Sequence, residues 1–323
     1  MKTGLFLPTL VSLGPYAAGA VQALIQEGGL QFDVIGASSG GVITGSFAAT
    51  GQIDKLVELW GSWQNKDMMA VDWPTLLRGG FLWAPGLMSN EPEHRHGIDP
   101  YISEDKLLRG VRFRFHISNL SSGAEEVLEY PGASLPFRTA VHAAVAVPGL
   151  FPTVYYQGSQ LADGAILNGC PLDQLMLHTG VERVFVVGVA PQMPVYQPGR
   201  NAFEILRTAL EWNQYSETMT AIAQAHEQNA WIAAWGTEQE AVKRTIRELI
   251  EDPQLQADLL FKADEIYSQC GFPQPRAPVA IIPILPPKNL EGLFGDFKPE
   301  RSRILLEQGR LDALRVLHSA IAG

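Results

Sequence analysis

Residues 32–44 read FDVIGASSGGVIT, in which an apolar run leads through two serines and three glycines into a second apolar run. This order predicts a strand, a sharp turn of small residues and a helix. Within the turn, Gly36, Ser38 and Gly40 match the pattern GxSxG, whose glycines let the central serine take a strained backbone conformation. The N–H groups that open the next helix would face this hydroxyl and stabilise negative charge. The pattern predicts Ser38 as a nucleophile, and the alternative is a plain tight turn between strand and helix.

The segments around this turn predict an α/β fold. A strand at residues 4–10, a helix at 16–26, the strand before Ser38 and a helix at 41–50 give a β-α-β-α order, which calls for parallel strands with right-handed crossovers. Further strands are predicted by alternating or continuous apolar runs at residues 111–117, 125–130, 184–189 and 279–285.

The C-terminal third is helical by period. Helical patterning covers residues 202–269, with predicted interruptions at Gly236 and at Asp252-Pro253. The final segment, residues 299–322, predicts a helix or a pair of helices broken at Gly309. We therefore expect a single domain over residues 1–323, with residues 200–272 as a largely helical insertion before the last strand.

Composition excludes several classes of protein. The chain has 323 residues, 46% hydrophobic and 18% charged content, which is typical of a globular protein. Its formal net charge of −10 argues against nucleic-acid binding and against a general attraction to anionic lipid. Neither of the two cysteines, Cys170 and Cys270, has metal-ligand spacing, and the close pair His94 and His96 lies in a polar stretch that predicts a solvated loop. We expect no metal and no cofactor.

The N-terminus imitates a secretory signal, with Lys2, an apolar run and then small residues at positions 17–20. The helical period continues to Gln26, beyond any cleavage point, so we interpret the segment as the first strand and helix of the sheet. This interpretation predicts a cytoplasmic protein, with peripheral membrane contact as an alternative. No other apolar run reaches the ~18 residues that a membrane-spanning helix needs.

A Trp- and Pro-rich stretch occupies residues 71–97. Its aromatic and apolar residues favour either a wall or lid for an acyl chain or a long loop packed on the core. The apolar residues in question are Trp73, Phe81, Leu82, Trp83, Leu87 and Met88.

A serine nucleophile needs a base within hydrogen-bond reach. Only two predicted strands precede Ser38, too few for the α/β-hydrolase order of serine, acid and histidine. The other arrangement uses a carboxylate as the general base. An acid on a predicted turn occurs in Asp163-Gly164-Ala165, where the alternative is a carboxylate that caps its own turn.

At four places, in one order, the chain resembles the patatin-like phospholipases. The matching stretches are the GxSxG turn, AAVAVPGLFP at residues 143–152, Asp163-Gly164-Ala165, and FKPER at 297–301 with EQGR at 307–310. The resemblance implies a three-layer fold with a central, mostly parallel sheet. It also implies Ser38 as nucleophile, Asp163 as base with Gly164 supporting its turn, an acyl-enzyme, and acyl esters of lipids as substrates of a phospholipase A or esterase.

The chain departs from that family in the loop after the first strand. The family has a Gly-Gly-Gly-x-Lys/Arg-Gly stretch there, whereas residues 9–13 read TLVSL. The N–H groups of Leu13, Gly14 and Ser39 are then the candidates for the oxyanion hole. Two alternatives stay open, namely a catalytically weak lipid-binding or interaction protein and an acyltransferase to a non-water acceptor. The oligomeric state is also left open.

Overall fold

A computed structural model of the chain describes residues 1–9, 11–68, 70–71, 86, 88–89, 91, 93–195, 202–269, 277–290 and 297–322. The Trp- and Pro-rich stretch lies largely outside the described residues. Among its apolar residues, Trp73, Phe81, Leu82, Trp83 and Leu87 lie outside, so both interpretations of that stretch stay predictions.

A central sheet of eight described strands carries the site. Its order is β10-β9-β1-β2-β5-β8-β7, and β6 pairs with β5 off this path. Neighbours from β10 to β5 are parallel, whereas β6, β7 and β8 pair in antiparallel fashion. The strands are β1 (Thr3–Thr9), β2 (Val34–Ser39), β5 (Arg112–Asn119), β6 (Ala124–Tyr130), β7 (Val154–Tyr156), β8 (Ser159–Asp163), β9 (Arg183–Val187) and β10 (Ala280–Ile284), while β3 (Ala70–Val71) and β4 (Met88–Ser89) form a separate pair.

Helices cover both faces of this sheet. They are α1 (Gly14–Gln26), α2 (Gly41–Ala49), α3 (Ile53–Trp60), α4 (Asn65–Met68), α5 (Phe137–Ala144), α6 (Ala202–Leu249), α7 (Pro253–Gln269) and α8 (Pro299–Ala322). Because side chains alternate along a strand, Leu5 and Leu7 of β1 join the core beneath α1, α2 and α8, whereas Phe6 packs on the opposite side with Met176 and α6. The predicted α/β class, with a central sheet flanked by helices, is confirmed.

The predicted helical region in the C-terminal third is confirmed, and its helices α6 and α7 lie between β9 and β10. The division of the chain into a single domain stays a prediction. None of the helices in the described ranges contains a stretch long and apolar enough to cross a membrane.

Two predicted helix breaks are wrong, because α6 runs through Gly236 and α8 runs through Gly309. A Cβ on Gly309 would lie 2.0 Å from the carbonyl oxygen of Tyr16, and one on Gly19 would lie 2.0 Å from that of Leu306. These two glycines therefore let the backbones of α1 and α8 touch. A glycine inside a helix costs only about 1 kcal/mol, which the helix around Gly236 tolerates.

The edges of β5 position the site. The strand β6 occupies one edge of β5 from Phe113 to Asn119. A strand has only two edges, so β2, which pairs as far as Phe115, and β8, which pairs from Ile117, share the other one. Since β2 is parallel to β5 and β8 is antiparallel, their C-terminal ends meet beside His116. Ser39 ends β2 and Asp163 ends β8.

Candidate active site

The strained residue of the turn is Ser39. Its φ is +49°, a left-handed conformation that costs a non-glycine residue roughly 1–3 kcal/mol and is characteristic of a nucleophile at a strand-to-helix turn. It ends β2, and α2 begins two residues later at Gly41. The sharp turn therefore presents Ser39 at the N-terminus of a helix.

Ser39 contacts a buried carboxylate. Its hydroxyl donates a hydrogen bond to Oδ2 of Asp163 at 2.7 Å, and Oδ1 of Asp163 accepts one from the backbone N–H of Ala165 at 2.9 Å. The N–H of Asp163 donates to the carbonyl oxygen of Ala146 at 3.1 Å. Asp163 is 1% exposed and Ser39 is 8% exposed. Both carboxylate oxygens are thus held, and one of them faces the serine.

Burial sets the proton affinity of this carboxylate. It raises the pKa of Asp163 to about 6, against the opposing effect of the hydrogen bonds from Ser39 and Ala165. A carboxylate with a pKa near 6 takes up a proton much more readily than an exposed aspartate does, while staying ionised at neutral pH.

In the structure Oδ2 of Asp163 accepts its hydrogen bond from Ser39 and not from Ser38, so the predicted role of Ser38 as nucleophile stays a prediction. The hydroxyl of Ser38 lies 3.0 Å from Nε2 of His116 on β5, and both residues are fully buried. The Nδ1 atom of His116 lies 2.6 Å from Oε1 of Glu125 on β6. Ser38 therefore belongs to a second hydrogen-bonded chain, next to the pair of Ser39 and Asp163.

The pattern GxSxG centres the turn on Ser38, whereas the positive φ lies one residue later, at Ser39. The steric requirement of such a turn is for small residues two positions before and two after the strained serine. Around Ser39 these are Ala37 and Gly41, and a Cβ on Gly41 would lie 1.8 Å from the carbonyl oxygen of Leu7. The sequence signal for a turn centred on Ser39 was the pair of serines followed by two glycines.

The other predicted supporting glycines have different surroundings. A Cβ on Gly36 would lie 2.4 Å from Sδ of Met176, so this glycine makes room for the turn Asp173–Leu177 beneath the sheet. Gly40 has a φ of −54°, which every residue adopts. A Cβ on Gly164 would lie 2.7 Å from Cδ2 of His116, so the turn that follows Asp163 rests on that imidazole.

The predicted oxyanion donors lie around the loop after β1. Thr9 is opposite Ser39 in the β1–β2 register, so this loop leaves the sheet beside the strained serine. Leu10 lies outside the described residues. Val11–Leu13 is a short 3-10 turn, and Gly14 starts α1 against the indole of Trp60. The helices α1 and α2 thus both begin near this edge, while the role of the N–H groups of Leu13, Gly14 and Ser39 stays a prediction.

The polar stretch around His94 is not a fully solvated loop. His94 is buried and stacks on His142 with ring centroids 3.7 Å apart, and Nε2 of His142 lies 2.7 Å from Oδ1 of Asp99. Burial lowers the pKa of His94 to about 3. His96 is exposed, as predicted. Within the described residues, no three His, Cys, Asp or Glu side chains come together in a way that could hold a metal ion.

Comparison with known proteins agrees with the resemblance noted in the sequence. The family model "Patatin-like phospholipase" matches residues 11–176, just over half of the chain, including the Ser38-Ser39 turn and Asp163. Among solved structures, VipD from Legionella pneumophila is similar with a TM-score of 0.46 and 13% sequence identity, over 98% of this chain and 67% of that one. The chain belongs to the patatin-like phospholipase family, and this membership supports lipid acyl hydrolysis as the general class of its activity.

Proposed function

We propose that this protein is a serine lipid acyl hydrolase of the phospholipase A or esterase type, with Ser39 as nucleophile and Asp163 as general base. The observation that carries the proposal is the 2.7 Å hydrogen bond from the hydroxyl of Ser39 to Oδ2 of Asp163. The positive φ of Ser39 and the pKa of about 6 for Asp163 support it independently.

The chemistry follows from this pair. The Oγ of Ser39 attacks the ester carbonyl carbon while Asp163 takes the hydroxyl proton, and the carbonyl oxygen becomes an oxyanion. Collapse of the tetrahedral intermediate breaks the bond to the alcohol, which leaves with the proton from Asp163. Water then attacks the acyl-enzyme while its proton passes to Asp163, and collapse of this second intermediate breaks the bond to Oγ of Ser39, which takes that proton back as the free fatty acid leaves.

Backbone N–H groups would stabilise the oxyanion. With Ser39 as nucleophile, the N–H of the following residue is that of Gly40, at the start of α2. The loop after β1, which ends at Leu13 and Gly14, is the source of the second donor, because it leaves the sheet beside Ser39. The dipoles of α1 and α2 add positive potential at the same edge. In a studied protease, losing one such donor lowers kcat about 100- to 1000-fold.

Apolar side chains near the acid support a lipid substrate. The turn after Asp163 continues into Ile166 and Leu167, which are 46% and 48% exposed. Exposed apolar side chains beside a reacting pair suit contact with an acyl chain or the surface of a lipid aggregate. Because the net charge is −10, peripheral membrane contact would rest on such apolar residues rather than on attraction to anionic lipid.

A fluorophosphonate probe, which reacts covalently with activated serines, tests the assignment together with hydrolysis of a p-nitrophenyl acyl ester. We expect stoichiometric labelling of the wild type, located on Ser39 by fragmentation of the labelled peptide. Ser39→Ala and Asp163→Asn should lose both labelling and hydrolysis.

Ser38→Ala is the matched control, because it removes a neighbouring hydroxyl from the same turn. It should still be labelled to completion, although more slowly. Labelling of Ser38 in the wild type would overturn the choice of nucleophile. A wild type that is not labelled at all would favour the alternative of a catalytically weak lipid-binding protein.

A further inference from the structure

We propose that His116, held by Glu125, is a positioning residue that aligns Ser39 with Asp163 by holding the ends of β2 and β8 together. The proposal rests on the function proposed above and adds two residues to its machinery.

Three side chains form a continuous hydrogen-bonded chain behind the reacting pair. Nδ1 of His116 lies 2.6 Å from Oε1 of Glu125, and Nε2 lies 3.0 Å from Oγ of Ser38. A carboxylate only accepts hydrogen bonds, so the proton of the ring is on Nδ1. Burial lowers the pKa of His116, although Glu125 opposes that effect. Both effects together favour a ring with its proton on Nδ1, in which Nε2 accepts a hydrogen bond from the hydroxyl of Ser38.

The position of His116 in β5 gives this chain its function. Phe115 is the last residue of β5 paired with β2, opposite Ala37, and Ile117 is paired with β8, opposite Asp163. His116 is the one residue between these two ladders. The side chain of His116 is thus at the place where the ends of β2 and β8 must keep a fixed position relative to each other.

The ring contacts both strand ends. On the side of β2 it binds Ser38, the residue before the proposed nucleophile. On the side of β8 it lies under Gly164, the residue after the proposed base, where an added Cβ would come within 2.7 Å of Cδ2. A rotation of the imidazole would therefore disturb the neighbours of both reacting groups at once.

The chain of Ser38, His116 and Glu125 has the composition of a catalytic triad, but its surroundings do not suit one. Ser38 and His116 are both 0% exposed, whereas Ser39 is 8% exposed. The imidazole rests against the Gly164 turn, and Ser38 lies inside the strand β2. Substrate could not reach the hydroxyl of Ser38 without opening the sheet. These three side chains therefore hold the reacting groups in position and do not react themselves.

Among the described residues, the side-chain partner of Glu125 is His116, so Glu125 is the best place for a test. On β6, Glu129 lies on the same face as Glu125 and forms an ion pair with the guanidinium of Arg114, with Oε2 3.0 Å from Nε. Glu125 contacts His116 instead, and the side chain of Glu125 is 19% exposed. Removing its carboxylate leaves the Nδ1–H of the ring without its acceptor, whereas removing that of Glu129 affects a different pair.

The experiment compares kcat and KM for p-nitrophenyl acyl ester hydrolysis. Glu125→Ala and His116→Phe should each lower kcat about 10- to 100-fold with KM within about twofold, as expected for a small misalignment of reacting groups. Glu125→Gln keeps an oxygen acceptor for Nδ1–H and should restore most of kcat. Glu129→Gln is the matched control and should retain wild-type values. Circular dichroism establishes that each variant is folded.

A spectroscopic signal tests the hydrogen bond itself. The Nδ1–H of His116 should give a downfield imidazole proton resonance in the wild type that is lost in Glu125→Ala. Folded Glu125→Ala with unchanged kcat would overturn the positioning role while leaving Ser39 labelling, and so the proposed function, intact. A wild type with no labelling on Ser39 would overturn the proposed function and the positioning role with it.

Discussion

Ser38 and Ser39 are neighbours in sequence, yet their surroundings are opposite in character. Ser39 has a positive φ, keeps some exposure and donates to the carboxylate of Asp163. Ser38 lies inside β2, is fully buried and contacts the imidazole of His116. Both hydroxyls thus have a basic partner, and the comparison teaches that backbone conformation and access distinguish a nucleophile better than the presence of a base does.

The largest difference should appear when each hydroxyl is removed. Loss of a serine nucleophile costs a studied protease about 10⁶-fold in kcat, so we expect Ser39→Ala to lower kcat/KM by at least about 10⁴-fold. Ser38→Ala should cost less than about 100-fold, because it removes one hydrogen bond behind the site. Steady-state kinetics on both variants measures this, and a reversed order would break the comparison.

Replacing the proposed base should stabilise the fold while abolishing activity. Burial raises the pKa of Asp163 from 3.8 to about 6, so between these values the folded chain holds a proton that the unfolded chain releases. Folding stability therefore falls as pH rises through this window, and by neutral pH the ionised carboxylate costs up to about 3 kcal/mol. Asp163→Asn should recover that free energy of unfolding at pH 8 and gain little at pH 3, as measured by urea denaturation. An equal gain at both pH values would contradict the buried carboxylate.

A turn centred on Ser39 requires a small residue at Gly41, whereas a turn centred on Ser38 requires one at Gly40. Gly41→Ala places a Cβ 1.8 Å from the carbonyl oxygen of Leu7 and should cost about 2 kcal/mol or more of unfolding free energy, with loss of activity. Gly40→Ala should be milder, because the φ of −54° at Gly40 is ordinary for alanine. Thermal denaturation with activity assays compares them, and greater damage at Gly40 would favour the frame centred on Ser38.

The smallest effect concerns the shape of the pH profile. Since Asp163 must be ionised to act as base, kcat/KM should fall tenfold per pH unit below about pH 6. The pH of the inflection should be the same in Glu125→Ala, because this substitution alters the environment of His116 and does not alter that of Asp163. A displaced inflection in that variant would mean that the imidazole, rather than the carboxylate, supplies the base.

Much of the fold could be predicted because it depends on local patterns. The apolar runs around the serine turn indicated β2 and α2 within a few residues, and the Asp163-Gly164 pair indicated the turn that follows β8. The partners of Ser38 and Ser39 depend instead on which edge of β5 each strand occupies, and this is a contact across 78 residues for Ser38 and 124 for Ser39. His116 was missed for the same reason, since its strand shows only alternation.

The predicted break at Gly309 failed for a related reason. A glycine in a helical pattern signals either an end or a close approach of another backbone, and only the packing of α1 on α8 distinguishes the two. The burial of His94 against His142 likewise depends on a neighbour 48 positions away, which no local reading of a polar stretch includes.

Because β2 and β8 share one edge of β5, the distance between Ser39 and Asp163 depends on the number of residues in each strand. Each residue advances a strand by about 3.3 Å and reverses the face to which its side chain points. An insertion or deletion of one residue within β8 would therefore carry the carboxylate of Asp163 to the other side of the sheet instead of shifting it slightly. Substitutions around the site can therefore adjust its geometry in small steps, whereas a change in the length of either strand would separate the two reacting groups.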